Sequence, residues 1–266
     1  KIKLYRNESN LGMFGNWNQC LKKAKGKYIS ILNDDDLLDY RFVENVMLDI
    51  RGEEMLVYDH QILSKKNVNQ KIGGSLRIFL EKFNFKSEYK IKKSNIVFRN
   101  PSNGSLGVVF DREKALLIGG YESKFFPSSD YYFNSKYIQK YGGIFFNKKL
   151  TKYRFHVNES LKLENLKSFV YLDYHLRKDI CYKNFNKIKN LYLISSFISS
   201  LQACSQIARY VLIRGRQKNY FDKIEIGFPP KVKNFFIRFF LISQYLCILV
   251  EVFILIFWKL LFYIGS

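Results

Sequence analysis

The feature that most constrains this chain is a short apolar run ending in a block of carboxylates. Tyr28–Leu32 (YISIL) is apolar and β-branched enough to form a buried strand, and it stops at Asn33-Asp34-Asp35-Asp36. Three adjacent like charges repel, and they are tolerated where a cation or basic group neutralises them. The run is preceded by a helical pattern over Asn16–Lys25, with Trp17, Cys20, Leu21 and Ala24 on one stripe and Gly26 as a stop. Leu38–Arg51 reads as the following helix. In an open α/β sheet, ligands bind beyond the carboxyl ends of strands, so these carboxylates fall in a binding crevice. Two readings compete. Carboxylates cap helix N-termini, and a helix follows; alternatively, hard oxygen donors hold Mg²⁺ or Mn²⁺ against substrate phosphates. One Asp is accounted for by a cap; three after a buried strand favour the metal–phosphate site.

The rest of the first 160 residues continues to alternate strand and helix. Lys1–Arg6 alternates polar and apolar residues and reads as a strand, and Asn7–Phe14 as a polar loop. Further strands are expected at Met55–Tyr58, Leu106–Phe110, Ile144–Phe146 and Lys152–Phe155. Helices are expected at Ser75–Phe85, over Arg112–Leu117 before the Gly119-Gly120 break, and, preceded by Ser128-Ser129-Asp130, from Tyr131 to about Tyr141. Ser64–Gly74 reads as a loop. This order predicts an α/β fold with a mainly parallel sheet flanked by helices.

Charge and cysteine content exclude some classes. The formal charge is +21, from 44 Lys and Arg against 23 Asp and Glu. Residues 161–266 carry +10 of it and residues 1–160 carry +11, so there is no basic tail or recognition patch, and no nucleic-acid partner is expected. Abundant Lys, Asn, Ile, Phe and Tyr fit compositional bias, with an anionic membrane surface or substrate as the other source of the excess. Cys20, Cys181, Cys204 and Cys247 are widely spaced, which argues against a disulfide framework and against a zinc site.

Three segments together carry a family resemblance. The first is Asn10-Leu11-Gly12, then Asn16 and Asn18, then Ala24-Lys25-Gly26-Lys27-Tyr28-Ile29, then Leu32-Asn33-Asp34-Asp35-Asp36. The second is Gly119-Gly120-Tyr121-Glu122 followed by Pro127-Ser128-Ser129-Asp130. The third is Tyr153-Arg154-Phe155-His156. In this order they resemble the core of family-2 glycosyltransferases with a GT-A fold, of the bacterial polysaccharide and O-antigen type, over about residues 1–160. The resemblance implies a nucleotide-sugar donor, with a UDP-hexose as the expected one, and Mg²⁺ or Mn²⁺ bridging the donor diphosphate and the aspartates. It implies Asp35 as the direct metal ligand with Asp34 beside it, and His156 as a further ligand or diphosphate contact. Asn10, Gly12, Asn16, Asn33, Asp34, Asp36 and Arg154 would line the donor site. Asp130 would be the general base of an inverting transfer, although it also stands where it would cap the helix that follows. Ser129 occupies a position where the family commonly has Glu. The family's first strand, helix and second strand grip the nucleotide base; they are not in these 266 residues, so an N-terminally truncated member is expected. Upstream sequence would separate an enzyme from an inactive, membrane-bound scaffold. His60 and His175 read as incidental, and Asn103-Gly104-Ser105 as a weak candidate for the acceptor side.

After His156 the pattern becomes helical. A catalytic domain is expected over 1–160, a helical extension over 161–230, and an apolar membrane-associating helix over 231–266. Leu241–Trp258 holds a single charge, Glu251. Lys231, Lys233 and Arg238 flank this stretch, and Tyr245, Trp258 and Tyr263 suit an interface. Glu251 disfavours a simple span, leaving spanning, interfacial and buried-helix readings open. A membrane-bound chain of this family implies a lipid-linked acceptor, such as an undecaprenyl-diphosphate saccharide, at the cytoplasmic face of the bacterial inner membrane.

Overall fold

The computed structural model describes residues 2–63, 87–98, 100–102, 104–154, 163–185 and 228–242, with isolated positions between 193 and 226. Two compact units share the chain and interleave along it. One comprises Lys1–Leu63, Ser87–Ile91 and Pro101–Phe155; the other comprises Ser64–Lys86, Lys92–Asn100 and His156–Ser266.

In the first unit the elements run α1 (Gly12–Lys23), β1 (Tyr28–Ile29), β2 (Leu37–Leu38), α2 (Phe42–Asp49), β3 (Met55–Leu63), β4 (Glu88–Lys90), β5 (Val108–Asp111), α4 (Arg112–Leu117), α5 (Ser129–Tyr141) and β6 (Gly143–Arg154). Helix α3 (Lys93–Phe98) belongs to the second unit. The sheet order is β1-β5-β3-β6-β2, with β4 also on β6. The expected mainly parallel sheet is corrected here. Among the described pairings β3–β6 is parallel, whereas β1–β5, β3–β5, β2–β6 and β4–β6 are antiparallel. An apolar run reports that both faces of a strand are covered, and carries no information about the direction of its neighbour.

Both faces are indeed covered. Val109 joins Phe42, Val46, Leu56, Ile144 and Phe146 under α2. Its neighbour Phe110 stands on the opposite face, by strand alternation, and packs edge-on against Phe133 of α5 at 5.0 Å. Helix α2 is shorter than its pattern because Leu37 and Leu38 pair with β6 instead. Its last residue, Asp49, is buried and satisfied twice: Tyr58 Oη donates to it at 3.0 Å and Lys148 Nζ at 2.7 Å. Burial, with Asp49 adding, pushes the Tyr58 hydroxyl far above its ordinary value.

Several boundaries moved for identifiable reasons. Ile2–Arg6 is exposed coil, since among the described residues no strand pairs with it. Helix α1 begins four residues earlier than expected, with Asn10 Oδ1 accepting from Gly12 N at 2.9 Å, and buries Phe14, Trp17 and Leu21 while Cys20 is exposed. The two short strands expected at 144–146 and 152–155 are one strand, β6. The polar insert Asn147-Lys148-Lys149 that interrupts the apolar pattern is a pair of register shifts against β3, through which Lys148 reaches Asp49.

In the second unit, α3 and α6 (Leu163–Phe185) pack together, and α7 (Pro230–Ile242) contributes Ile237 to a core with Val170, Tyr174, Cys204 and Ile207. Burial pushes the Cys204 thiol up to about 12, against an opposing effect of Lys233. Among the described residues no helix is long and apolar enough to cross a membrane. Residues 243–266 of the expected apolar helix, and the expected loop and helix at 64–86, lie outside the described residues.

Candidate functional site

The aspartate triplet folds as a tight turn between β1 and β2, and the turn treats its three carboxylates differently. Asp36 is buried, 5% exposed, and its Oδ1 accepts from Arg154 N at 3.1 Å. Asp34 is exposed and Asp35 half-buried. A buried carboxylate is tolerated where it accepts from a fixed donor, and here that donor is the backbone at the end of β6. The Arg154 side chain clasps the same turn, its Nε donating to the Asp35 carbonyl at 2.9 Å. Asn33 approaches Asp36 through Nδ2 at 3.5 Å and Ser105 through Oδ1 at 3.5 Å. Asn33, Asp35, Asp36 and Arg154 are thus brought together in one cluster, with Asp34 on the turn beside them.

The donor set fits a hard divalent cation. Asp34 and Asp35 offer carboxylate oxygens on an anchored turn, and Mg²⁺ or Mn²⁺ commonly takes one or two protein carboxylates plus phosphate oxygens and water. Among the described residues no group of three or more His, Cys, Asp or Glu side chains converges on one point. His156 lies outside the described residues.

Asn10, Gly12 and Asn16 form a second cluster at the exposed start of α1. Asn10 Oδ1 accepts from Gly12 N in a local turn, and Asn7 Nδ2 donates to Asn16 Oδ1 at 2.9 Å. Asn18, one turn further on, faces inward. It grips the backbone of Tyr121 from both sides: Nδ2 donates to the carbonyl at 2.6 Å, and Oδ1 accepts from the N–H at 2.9 Å. Gly120 makes that grip possible. Its φ is +65°, and a Cβ there would lie 2.5 Å from Asn18 Oδ1. Tyr121 is then locked among rings, stacked on Phe133 at 4.3 Å and edge-on to Trp17 at 5.0 Å.

Asp130 sits in the first turn of α5, half-buried, close enough to Tyr121 for its charge to act on the phenol. Burial, with Asp130 adding, pushes the Tyr121 hydroxyl well up, so a neutral phenol neighbours the carboxylate. Ser129 beside it is fully buried, and its hydroxyl has no hydrogen-bond partner among the described residues. A Glu at that position would have to bury a charge in the same space.

The α5 helix and the aspartate turn are linked by a strap that the sequence signalled only faintly. Asn134 Nδ2 donates to Ser102 Oγ at 2.7 Å, and Ser102 Oγ donates to the Gly104 carbonyl at 2.8 Å. Ser105 then reaches Asn33. Asn103 lies outside the described residues. Asn134 was legible in principle: it is a polar side chain on the buried stripe of a helix whose neighbours are Phe133 and Tyr137. His60, read as incidental, stands at the β3 register shift, its Nδ1 3.6 Å from Asp59 Oδ1 and its ring edge-on to Tyr153.

Comparison with known proteins supports the family resemblance over the first of the three segments. The sequence model of the family described as Glycosyl transferase family 2 matches residues 1–111. No curated protein matches the chain. Among solved structures, the crystal structure of S. aureus TarS is similar at 12% identity and TM-score 0.47 over 90% of this chain, which spans 43% of that chain. The crystal structure of S. aureus TarS 1-349 is similar at 13% identity and TM-score 0.44, covering 93% of this chain and 72% of that chain.

Proposed function

We propose, from the membership of residues 1–111 in glycosyl transferase family 2, that this chain transfers a sugar from a nucleotide-sugar donor to a saccharide acceptor in cell-surface polysaccharide synthesis. The observation that carries the reading is the anchored aspartate turn: Asp36 Oδ1 accepts from Arg154 N at the end of β6, and Asp34 and Asp35 stand on the same turn. Asp35, with Asp34, would hold Mg²⁺ or Mn²⁺. Such a metal would act as a Lewis acid on the donor diphosphate. Arg154, clasping the turn, would face the diphosphate as a cation, and Asn33 would help to orient the donor. Asn10, Gly12 and Asn16 would contribute to the donor side from the start of α1, and His156 would assist at the diphosphate.

Asp130 serves as general base. It takes the proton of the acceptor hydroxyl while that oxygen attacks the donor's anomeric carbon from the face opposite the leaving group. The new carbon–oxygen bond forms as the bond to the diphosphate breaks, the configuration inverts, and the nucleoside diphosphate departs. We further infer a UDP-hexose donor and a lipid-linked acceptor such as an undecaprenyl-diphosphate saccharide. The apolar 231–266 region would hold the chain at the cytoplasmic membrane face, next to that acceptor.

The test is metal-dependent release of UDP from UDP-sugars with a lipid-diphosphate saccharide as acceptor. Transfer that survives chelation and Asp35→Asn would overturn the metal assignment. Full activity in Asp130→Asn would overturn the base. Absence of transfer across a donor screen would point instead to an inactive relative acting as a scaffold.

A further inference from the structure

We infer that Ser102 and Asn134 are positioning residues that set the aspartate turn from the helix carrying Asp130, an inference whose catalytic consequence rests on the reading above. Six groups form two hydrogen-bonded segments, joined covalently at Gly104–Ser105, with every donor pointing toward the aspartate turn. The Asn134 amide donates to Ser102 Oγ at 2.7 Å, and the Ser102 hydroxyl donates to the Gly104 carbonyl at 2.8 Å. One residue on, the Ser105 hydroxyl donates to Asn33 Oδ1 at 3.5 Å, and the Asn33 amide donates to Asp36 Oδ2 at 3.5 Å. The line ends on a carboxylate whose other oxygen is held by Arg154 N. Within each segment the donors run head to tail and polarise one another.

The strap that carries this line is clamped at both ends. At its far end Gly107 lies flat on the sheet, with φ +70° and room for a Cβ blocked by Tyr58 O at 3.0 Å and by Thr151 Cγ2 at 3.1 Å. Tyr58 N donates to the Gly107 carbonyl at 2.9 Å. At its near end the clamp is Asn134, 1% exposed, beside the buried Tyr131, Tyr137 and Ile138 of its helix. A buried amide in such a place is costly unless bonded, and an apolar side chain would serve packing alone better. Asn134 follows Asp130 by four residues, so both stand on one face of α5. A shift of that face therefore reaches the aspartate turn through Ser102, and the spacing of base and turn is set in common.

The experiment reads position and catalysis separately in the full chain. Hydrogen exchange of the backbone amides in residues 30–38 is followed in Ser102→Ala, Asn134→Ala, the double variant and Ser102→Thr, with thermal unfolding as a fold control. Ser102→Ala and Asn134→Ala should each speed exchange in 30–38 and lower kcat by about tenfold, as loss of an outer-sphere partner does. The double variant should be no worse than the poorer single one, and Ser102→Thr, which keeps the hydroxyl, should behave as the parent. Unchanged exchange in 30–38, or effects of the two variants that multiply, would overturn the inference whatever the activity. Faster exchange in the two variants, with a parent chain that transfers no sugar, would keep the positioning role and overturn the functional reading.

Discussion

The aromatic frame around α1 and α5 and the polar turn at the end of β6 are built on opposite principles. In the frame, Tyr121 alone meets Phe14, Trp17 and Phe133, and Asn18 holds its backbone at two points. Loss of any one contact leaves others. At the turn, Asn33, Asp35, Asp36, Ser105 and Arg154 are joined by directed bonds, two of them at 3.5 Å. The frame resists change because apolar contact is non-directional and redundant. The turn holds carboxylates together and stays adjustable, as a site must when charge arrives with its ligand.

This contrast predicts that the two regions fail in different ways. The largest separation should come from Asp130→Asn, which is expected to lower kcat roughly 10²–10⁴-fold with an unfolding midpoint close to that of the parent. Parallel kinetics and thermal melts check it. Tyr121→Ala should do the reverse, costing about 3–5 kcal/mol of stability by denaturant titration, with the remaining folded fraction still binding donor. Asp36→Asn should weaken activating-metal affinity about 10–100-fold, since it loosens the turn without removing Asp34 or Asp35; metal titration of the rate measures this. Gly120→Ala should cost about 1–2 kcal/mol for the left-handed backbone alone, and more from the clash with Asn18. A double variant with Asn18→Ala should recover part of that extra loss.

The smallest effect is expected at the exposed pair of Arg51 and Glu88, bonded at 2.6 and 2.7 Å. Arg51 holds the Glu88 carboxyl below the ordinary glutamate value, chiefly through that hydrogen bond. A depressed folded value means stability that is present above the unfolded value and is lost as pH falls through the folded one. Parent and Arg51→Ala melts should therefore differ little at neutral pH, less in high salt, and converge in acid.

Legibility followed the same division. The frame's helices were readable because burial leaves a periodic trace: Arg112–Leu117 and the stretch from Ser129 to Tyr141 stand where their Gly breaks and apolar spacing put them. Helix α1 was readable as a helix, but its start was not, because Asn10 Oδ1 accepts from Gly12 N in a local turn inside a stretch that reads as loop. Among the candidate site residues, the aspartates announced themselves by the cost of three adjacent charges. Ser102 did not, since a serine is unremarkable in a loop, and Asn134 did so only as a polar residue on the buried stripe of its helix. Lys148 misled outright: a polar interruption looked like the end of a strand, and only the buried Asp49 explains why the strand continues through it.

What the sequence alone determined is the motif: an apolar run ending at Asn33-Asp34-Asp35-Asp36, inside residues 1–111 that the glycosyl transferase family 2 model matches. What the tertiary structure decided is the division of labour within that motif. Asp36 is drawn inward because Arg154 N, more than a hundred residues away, offers a donor there, while Asp34 stays exposed. Strand direction was also decided at this level, with one parallel pairing among antiparallel ones in the described sheet. Local sequence fixes which groups are apolar or charged. Which of three identical carboxylates is buried depends on a partner that only the folded sheet brings within bonding distance.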